Sequence, residues 1–262
     1  MKKAWRFIPY CKYSAMENMA FDEAMYRFFT LHPTSLPTLR FYGWSRPSIS
    51  LGRFGQISDV VDVNTCHTLG VDIVRRPTGG KVILHGFDFS YSIVASVLRA
   101  PFNHNLMATY EVIAHCLVDA LSRLGINATL ANTNTAKNSS SDALCFSSLI
   151  PNELTVEEKK ICGNAQVRNR TCFLQHGSIA LFANDSRYTE LCERLFSSVA
   201  YQAMFNKATS IDAFIDMKVI GEEYLANIFR GAFEDTLSIT STEGSLSVEE
   251  MVIYNNLLQE KV

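Results

Sequence analysis

Arg75-Arg76-Pro77-Thr78-Gly79-Gly80-Lys81-Val82-Ile83-Leu84-His85 interleaves a paired cation, a two-glycine turn and a histidine with an apolar, strand-like run. Glycine lets a backbone turn tightly and approach a ligand closely, while forked guanidinium donors suit phosphate or carboxylate. A buried strand needs neither, so the stretch reads as a ligand site; the plain alternative is a hairpin turn whose arginines point to water. Working outward, residues 72–75 and 81–84 read as two strands joined by the glycine turn, with a third over 89–94. Upstream, residues 38–42 and 48–51 read as successive short strands bounded by Pro, Gly and Ser. Residues 18–29 place Met19, Ala20, Ala24, Met25, Phe28 and Phe29 near one helical face with Asp22 and Glu23 outward.

Downstream, residues 110–125 carry the clearest helical pattern, stopping at Gly125. Residues 132–142, dominated by Asn, Thr and Ser, read as a mobile loop. Strand pieces of the same sheet are expected over 154–156, 160–162 and 178–182, and helices over 186–198, 222–233 and 247–258. Ser247 serves as the last N-cap, with Glu249 and Glu250 in the first turn. Strands in one region with helices before, within and after them predict an α+β sandwich: a mixed, largely antiparallel sheet flanked by helices. One domain over 1–262 is expected, with a motif-bearing core over 1–182 and a helical C-terminal part over 183–262.

The 262 residues are 47% hydrophobic, enough for a substantial core. Lys+Arg 24 against Asp+Glu 26 gives a net charge of -2, so no global field draws the chain to nucleic acid or to a membrane. Seven cysteines without a close CxxC pair fit reduced thiols in a cytoplasm better than disulfides or zinc. No apolar run is long enough to span a bilayer, and the start has no apolar leader.

Cys145, in Ala143-Leu144-Cys145-Phe146, follows the polar loop and precedes a strand, where a thiol could reach substrate. Cysteine suits exchange between thioesters because its thiolate attacks and then leaves readily. The alternative is a small buried hydrophobe. In Lys159-Lys160, strand alternation lets only one lysine face a site. Phe41, Trp44 and Phe54 read as core more readily than as ligand walls.

Further blocks recur together with the first: Asn18-Met19-Ala20-Phe21-Asp22-Glu23-Ala24, Leu39-Arg40-Phe41-Tyr42-Gly43-Trp44, Ser50-Leu51-Gly52-Arg53-Phe54-Gly55-Gln56, Lys159-Lys160-Ile161-Cys162-Gly163-Asn164-Ala165-Gln166 and Leu174-Gln175-His176-Gly177-Ser178-Ile179. In this order and spacing the chain resembles the lipoate-protein ligase A family, including its cysteine-dependent octanoyltransferase branch. The resemblance implies the biotin/lipoate-protein ligase-like catalytic fold. It also implies attachment of an octanoyl or lipoyl group to one lysine of a lipoyl-carrier domain, such as the glycine cleavage H protein or a 2-oxoacid dehydrogenase E2.

Cys145 matches that branch's nucleophile, with acyl carrier protein as donor, and Lys160 matches the lysine that stabilises the developing oxyanion. Arg76, Gly79, Gly80, Lys81, Val82, Ile83, Leu84 and His85 match the loop along the acyl chain, and His85 and His176 are expected to position substrate. No tightly bound cofactor is implied by this route. Lys81 departs from the family's ligases, which have a third glycine there. Asn152-Glu153 instead resembles the ligases' pair for phosphate and Mg²⁺, which keeps ATP-dependent ligation through a lipoyl-adenylate open. A carrier-domain binder without turnover, and biotin attachment, are further alternatives.

Overall fold

The computed structural model describes residues 2–56, 61–131, 153–183, 185–217 and 219–260. Cys145, Asn152 and the segment 132–142 lie outside the described residues. Strand β1 (Lys3–Tyr13) opens the chain and leads into helix α1 (Ala15–Leu31), which starts in a capping box: Ser14 Oγ accepts from Glu17 N–H at 3.3 Å and the Glu17 carboxylate accepts from Ser14 N–H at 2.8 Å. Then come β2 (Thr38–Trp44), β3 (Ser48–Leu51), the short α2 (Val63–Thr68), β4 (Asp72–Arg75), β5 (Ile83–His85) and β6 (Asp88–Ser96). Helix α3 (Leu106–Arg123), capped by Asn105, ends before Gly125. After β7 (Thr129–Leu130) the described chain resumes with β8 (Leu154–Val156), β9 (Lys159–Lys160), β10 (Cys162–Arg168) and β11 (Cys172–Ala180). Helices α4 (Ser186–Leu195), α5 (Ser198–Lys207) and α6 (Glu222–Thr236), strand β12 (Ile239–Glu243) and α7 (Val248–Glu260) complete it.

Six strands form the main sheet in the order β10-β11-β6-β2-β1-β12. The four on the β10 side are antiparallel, and β1 runs parallel to both its neighbours. The expected mixed, largely antiparallel sheet flanked by helices is therefore present. Every residue of β2 and β6 is buried, because both faces are covered. On one face α3 and α6 seal an aromatic core in which Phe41 lies against Phe89, Phe229 and Phe233. On the other, α1 packs with α7 through Ala20, Ala24 and Leu257.

The sequence reading missed β1, whose Lys3, Arg6, Lys12 and Pro9 argue against a central strand. The ladder accommodates Pro9 with a register shift between Ile8 and Cys11, and Arg6 turns to a bidentate pair with Glu250 at 2.5 and 2.6 Å. Two further expectations change. Strands β8 and β9 join β7 in a separate three-stranded sheet instead of extending the main one. The stretch 72–85 is not a hairpin: β3 lies between β4, parallel to it, and β5, antiparallel. Residues 76–82 thus cross over the end of β3, where Gly52 meets the crossing loop so closely that a Cβ there would fall on the Gly80 carbonyl oxygen.

Candidate functional site

The crossing loop closes one side of a narrow cavity of about 20 Å³ at the seam between the main sheet and the β4-β3-β5 sheet, opening to solvent. Its apolar walls come from Met19 on α1, Tyr42 and Trp44 on β2 and Ile83 on β5. Its polar walls are Ser50, Arg76, His85, Ser90, His176 and Ser178, and the backbone of Gly163 and Ala165 on β10 completes it. Apolar walls with a few convergent polar groups are the usual character of a small-molecule site.

Two chains of hydrogen bonds run through the walls. In the first, Ser50 Oγ lies 2.7 Å from His85 Nε2, and His85 Nδ1 lies 2.8 Å from Asp88. Arg76 Nη1 is 3.0 Å from the same Ser50 Oγ. The Asp88 carboxylate can only accept, so His85 Nδ1–H donates to it, and Nε2 of the neutral tautomer accepts from the Ser50 hydroxyl, which in turn accepts from Arg76. Ser90 at 2.9 Å, Ser178 at 2.6 Å and the Gly86 N–H at 2.9 Å also donate to Asp88. Burial opposes the Asp88 charge, but His85 foremost, then Ser178 and the Gly86 N–H, outweigh it and hold the carboxyl below its ordinary pKa. Trp44 lies flat on the His85 ring, with centroids 3.9 Å apart.

In the second chain Thr78 Oγ1 lies 2.6 Å from His176 Nε2, and His176 Nδ1 lies 3.1 Å from Asp22. Asp22, expected to face outward, is fully buried and paired with Arg40 Nη1 at 2.7 Å, while Ser92 and Tyr42 donate to it at 2.7 and 3.1 Å. A carboxylate on the inner face of α1 meets a guanidinium on β2, which reverses the amphipathic reading at that position. Burial works against ionisation of Asp22, yet Arg40 and His176 keep its pKa low. Burial pushes His176 below its ordinary value, more strongly than Asp22 pulls it up.

The paired cations of the opening stretch bind backbone. Arg76 donates to the carbonyls of Ser50 at 2.9 Å, Gly79 at 2.9 and 3.2 Å and Lys81 at 2.6 Å. Arg75 Nη1 holds the carbonyls of Gly52, Arg53 and Gly55 at 2.8–3.1 Å. Both clamp the loops around β3, where the sequence suggested phosphate or carboxylate ligands. Of the matched residues, Arg76, Ile83, His85 and His176 share the cavity. Gly79 and Gly80 form the crossing loop over Gly52, and the Lys81 carbonyl is held by Arg76. Val82 and Leu84 pack into the apolar cluster of the smaller sheet.

Lys160 is 1% exposed, ion-paired with Glu153, and is not among the described cavity walls, although its strand leads within three residues to Gly163. Glu153 therefore addresses Lys160, and its carboxylate is already engaged where the sequence suggested phosphate and metal. Among the described residues no cluster of metal-binding side chains occurs. Trp44 is a cavity wall, Phe41 is core, and Phe54 is 84% exposed. Ser50, Thr78, Asp22 and Asp88 were not singled out. A signal for Asp88 existed, since a lone carboxylate between Phe87 and Phe89 in an apolar strand requires buried donors.

Residues 14–230 match the model of the lipoyl protein ligase A/B catalytic domain. The octanoyltransferase LipM of Carboxydothermus hydrogenoformans is 35% identical over 262 residues, covering 99% of this chain and 96% of that protein. The chain belongs to this family. The LipM octanoyltransferase of Bacillus subtilis is 32% identical over 270 residues, again covering 99% and 96%. A lipoate-protein ligase A bound with ATP superposes with a TM-score of 0.78 at 22% identity, covering 99% of this chain and 95% of that one. The bipartite lipoate protein ligase of Thermoplasma acidophilum, described with its E2 lipoyl domain, gives a TM-score of 0.75 at 19% identity, covering 99% and 93%. At those identities the two structures speak for the fold. As a member of this family the chain is an enzyme, an acyltransferase or ligase. No helix among the described residues is long and apolar enough to cross a membrane.

Proposed function

We propose that the chain transfers an octanoyl group to the side-chain amine of a lysine on a lipoyl-carrier domain, by way of a thioester at Cys145. The observation that carries this reading is the seam cavity: apolar on one side, lined on the other by hydroxyls, two imidazoles and an Arg76 guanidinium already held by backbone carbonyls, and adjoined by β10, which begins two residues after Lys160. It suits a neutral acyl group beside a reacting carbonyl better than a charged ligand. The full-length similarity to octanoyltransferases supports the same choice.

The Cys145 thiolate attacks the carbonyl of an octanoyl thioester on acyl carrier protein, and the carrier's sulfur leaves as thiol. The target lysine, as free amine, then attacks the new thioester, forming the amide and returning Cys145. An ammonium at Lys160, turned from Glu153 to the carbonyl oxygen, would stabilise the charge that develops in both steps. The engagement of Arg76 with three backbone carbonyls leaves its guanidinium occupied, which disfavours it as a phosphate ligand on the adenylate route.

The deciding experiment incubates the protein with octanoyl acyl carrier protein without ATP and records its intact mass before and after hydroxylamine. An octanoyl adduct removed by hydroxylamine and absent from Cys145→Ser is expected. No adduct, with carrier modification by lipoate and ATP instead, would replace this reading with ligation.

A further inference from the structure

The two hydroxyl–imidazole–carboxylate chains of the cavity are chemically unequal. The Asp22 charge is met by the Arg40 guanidinium at 2.7 Å. Asp88, among the described residues, is paired with no arginine or lysine; it accepts from the His85 ring, Ser90, Ser178 and the Gly86 N–H. A buried carboxylate that faces an imidazole and no guanidinium or ammonium favours positive charge on that imidazole. The hydroxyl ends differ too. Both residues are buried, but Ser50 lines the cavity and Thr78 is not among its walls. Ser50 Oγ also receives a charged hydrogen bond from Arg76 Nη1 at 3.0 Å, which lowers the cost of negative charge on that oxygen. With one lone pair taken by Arg76 and its proton given to His85, the hydroxyl keeps a second lone pair for attack.

We propose that Ser50, His85 and Asp88 form a serine-based acyl-accepting centre in the cavity wall, able to take an acyl group from an activated ester and release it to water. The Ser50 Oγ–H bond breaks as oxygen attacks the ester carbonyl, and His85 Nε2 takes the proton. The imidazolium is stabilised by Asp88 through Nδ1–H, and the Arg76 guanidinium donates to Ser50 Oγ. The alcohol leaves with the proton from His85, giving an acyl-Ser50 ester. Water, deprotonated by the same imidazole, then attacks this ester and frees the acid and the serine hydroxyl. This activity requires neither Cys145 nor a carrier protein, so it stands or falls separately from the thioester route.

The test treats the folded protein with an octyl fluorophosphonate and maps the adduct by peptide mass spectrometry. In this reaction Ser50 Oγ bonds to phosphorus, fluoride leaves, and the Ser50 proton passes through His85 to solvent. The expected result is a phosphonate on the peptide containing Ser50, absent after unfolding in urea. The labelling rate should fall about 10²- to 10⁴-fold in Asp88→Asn, as when an activating general base is misoriented. Slow hydrolysis of p-nitrophenyl octanoate, measured in a Cys145→Ser background so that the thiol takes no part, should fall in parallel and vanish in Ser50→Ala. No adduct on Ser50 in the wild-type protein, or labelling at the same rate in folded Asp88→Asn, would overturn the proposal. The wild-type peptide map decides the question even if a variant fails to fold.

Discussion

Replacing Arg76 with alanine separates a loop clamp from a ligand-binding cation. The side chain is 3% exposed and donates to the carbonyls of Ser50, Gly79 and Lys81 and to Ser50 Oγ, at 2.6–3.2 Å. A hydrogen bond from a charged donor contributes about 1.5–3 kcal/mol, and a buried carbonyl deprived of its donor carries much of that cost. These bonds share one side chain and do not add independently, so the expected loss for Arg76→Ala is about 3–5 kcal/mol. Against a domain stability of about 5–15 kcal/mol this is a large shift. Urea unfolding followed by tryptophan fluorescence should show a lower midpoint with an unchanged slope. Tryptic cleavage after Lys81 should also accelerate, because the crossing loop is no longer pinned. The reasoning is refuted if Arg76→Ala unfolds within about 0.5 kcal/mol of the wild type while losing transfer, since that pattern assigns the guanidinium to substrate.

Asp22→Ala should cost about 3–5 kcal/mol by leaving the Arg40 charge buried and unmet, and an Asp22→Leu/Arg40→Met double variant should recover much of it in the same urea titration. Stability should also fall with acidification. The folded pKa of His176 lies below its unfolded value of about 6.5, so its contribution is complete above that pH and declines as pH drops toward the folded value, by at most about 1.4 kcal/mol per pH unit. Asp22 and Asp88, also depressed in the folded state, add a loss of the same sign at lower pH, below about 3.9. Melting temperature against pH should thus drop from near pH 6.5 downward in the wild type, and His176→Gln should flatten the upper part of that slope; equal slopes would remove His176 as its source. Gly52→Ala, which drives a Cβ into the Gly80 carbonyl, should shift the crossing loop and cut transfer on the order of 10²-fold, read as kcat/KM, with the main sheet intact by circular dichroism.

The part of the site legible in sequence was the part carried by composition. A run rich in Gly, Arg and His beside an apolar strand pointed to a ligand site, and Arg76, Ile83, His85 and His176 do meet at one cavity. What stayed hidden was which charge meets which, because that is decided across the fold. Asp22 finds Arg40 across 18 residues and His176 across 154, and nothing local on α1 announces either partner. Helical periodicity placed Asp22 outward because it treats every carboxylate as solvated; a buried pair breaks that assumption. The lone charges Arg40, between Leu39 and Phe41, and Asp88, between Phe87 and Phe89, were the available clues. Strand β1 was hidden for the opposite reason, since its charged residues and Pro9 mask a strand that tertiary pairing imposes. Helices α1, α3, α4, α6 and α7, whose apolar face and caps lie close together in sequence, were read within a few residues of their ends, whereas the short α2 and the helix α5 were not read.

Arg76 unites framework and chemistry, and the two can be pulled apart. Its planar fork reaches the Ser50, Gly79 and Lys81 carbonyls together while Nη1 also touches the Ser50 hydroxyl. An ammonium is a single point charge with rotatable donors and cannot span the same set of acceptors. Arg76→Lys should therefore hold charge near Ser50 Oγ while releasing at least one loop carbonyl, giving a stability loss of about 1–3 kcal/mol. If the Ser50 hydroxyl is activated chiefly by His85 and Asp88 with a nearby cation, fluorophosphonate labelling in this variant stays within about tenfold of wild type while Lys81 becomes a faster tryptic site. If labelling collapses as it does in Asp88→Asn, the fork geometry of Arg76 itself sets the serine's reactivity, and the loop and the nucleophile are one mechanical unit.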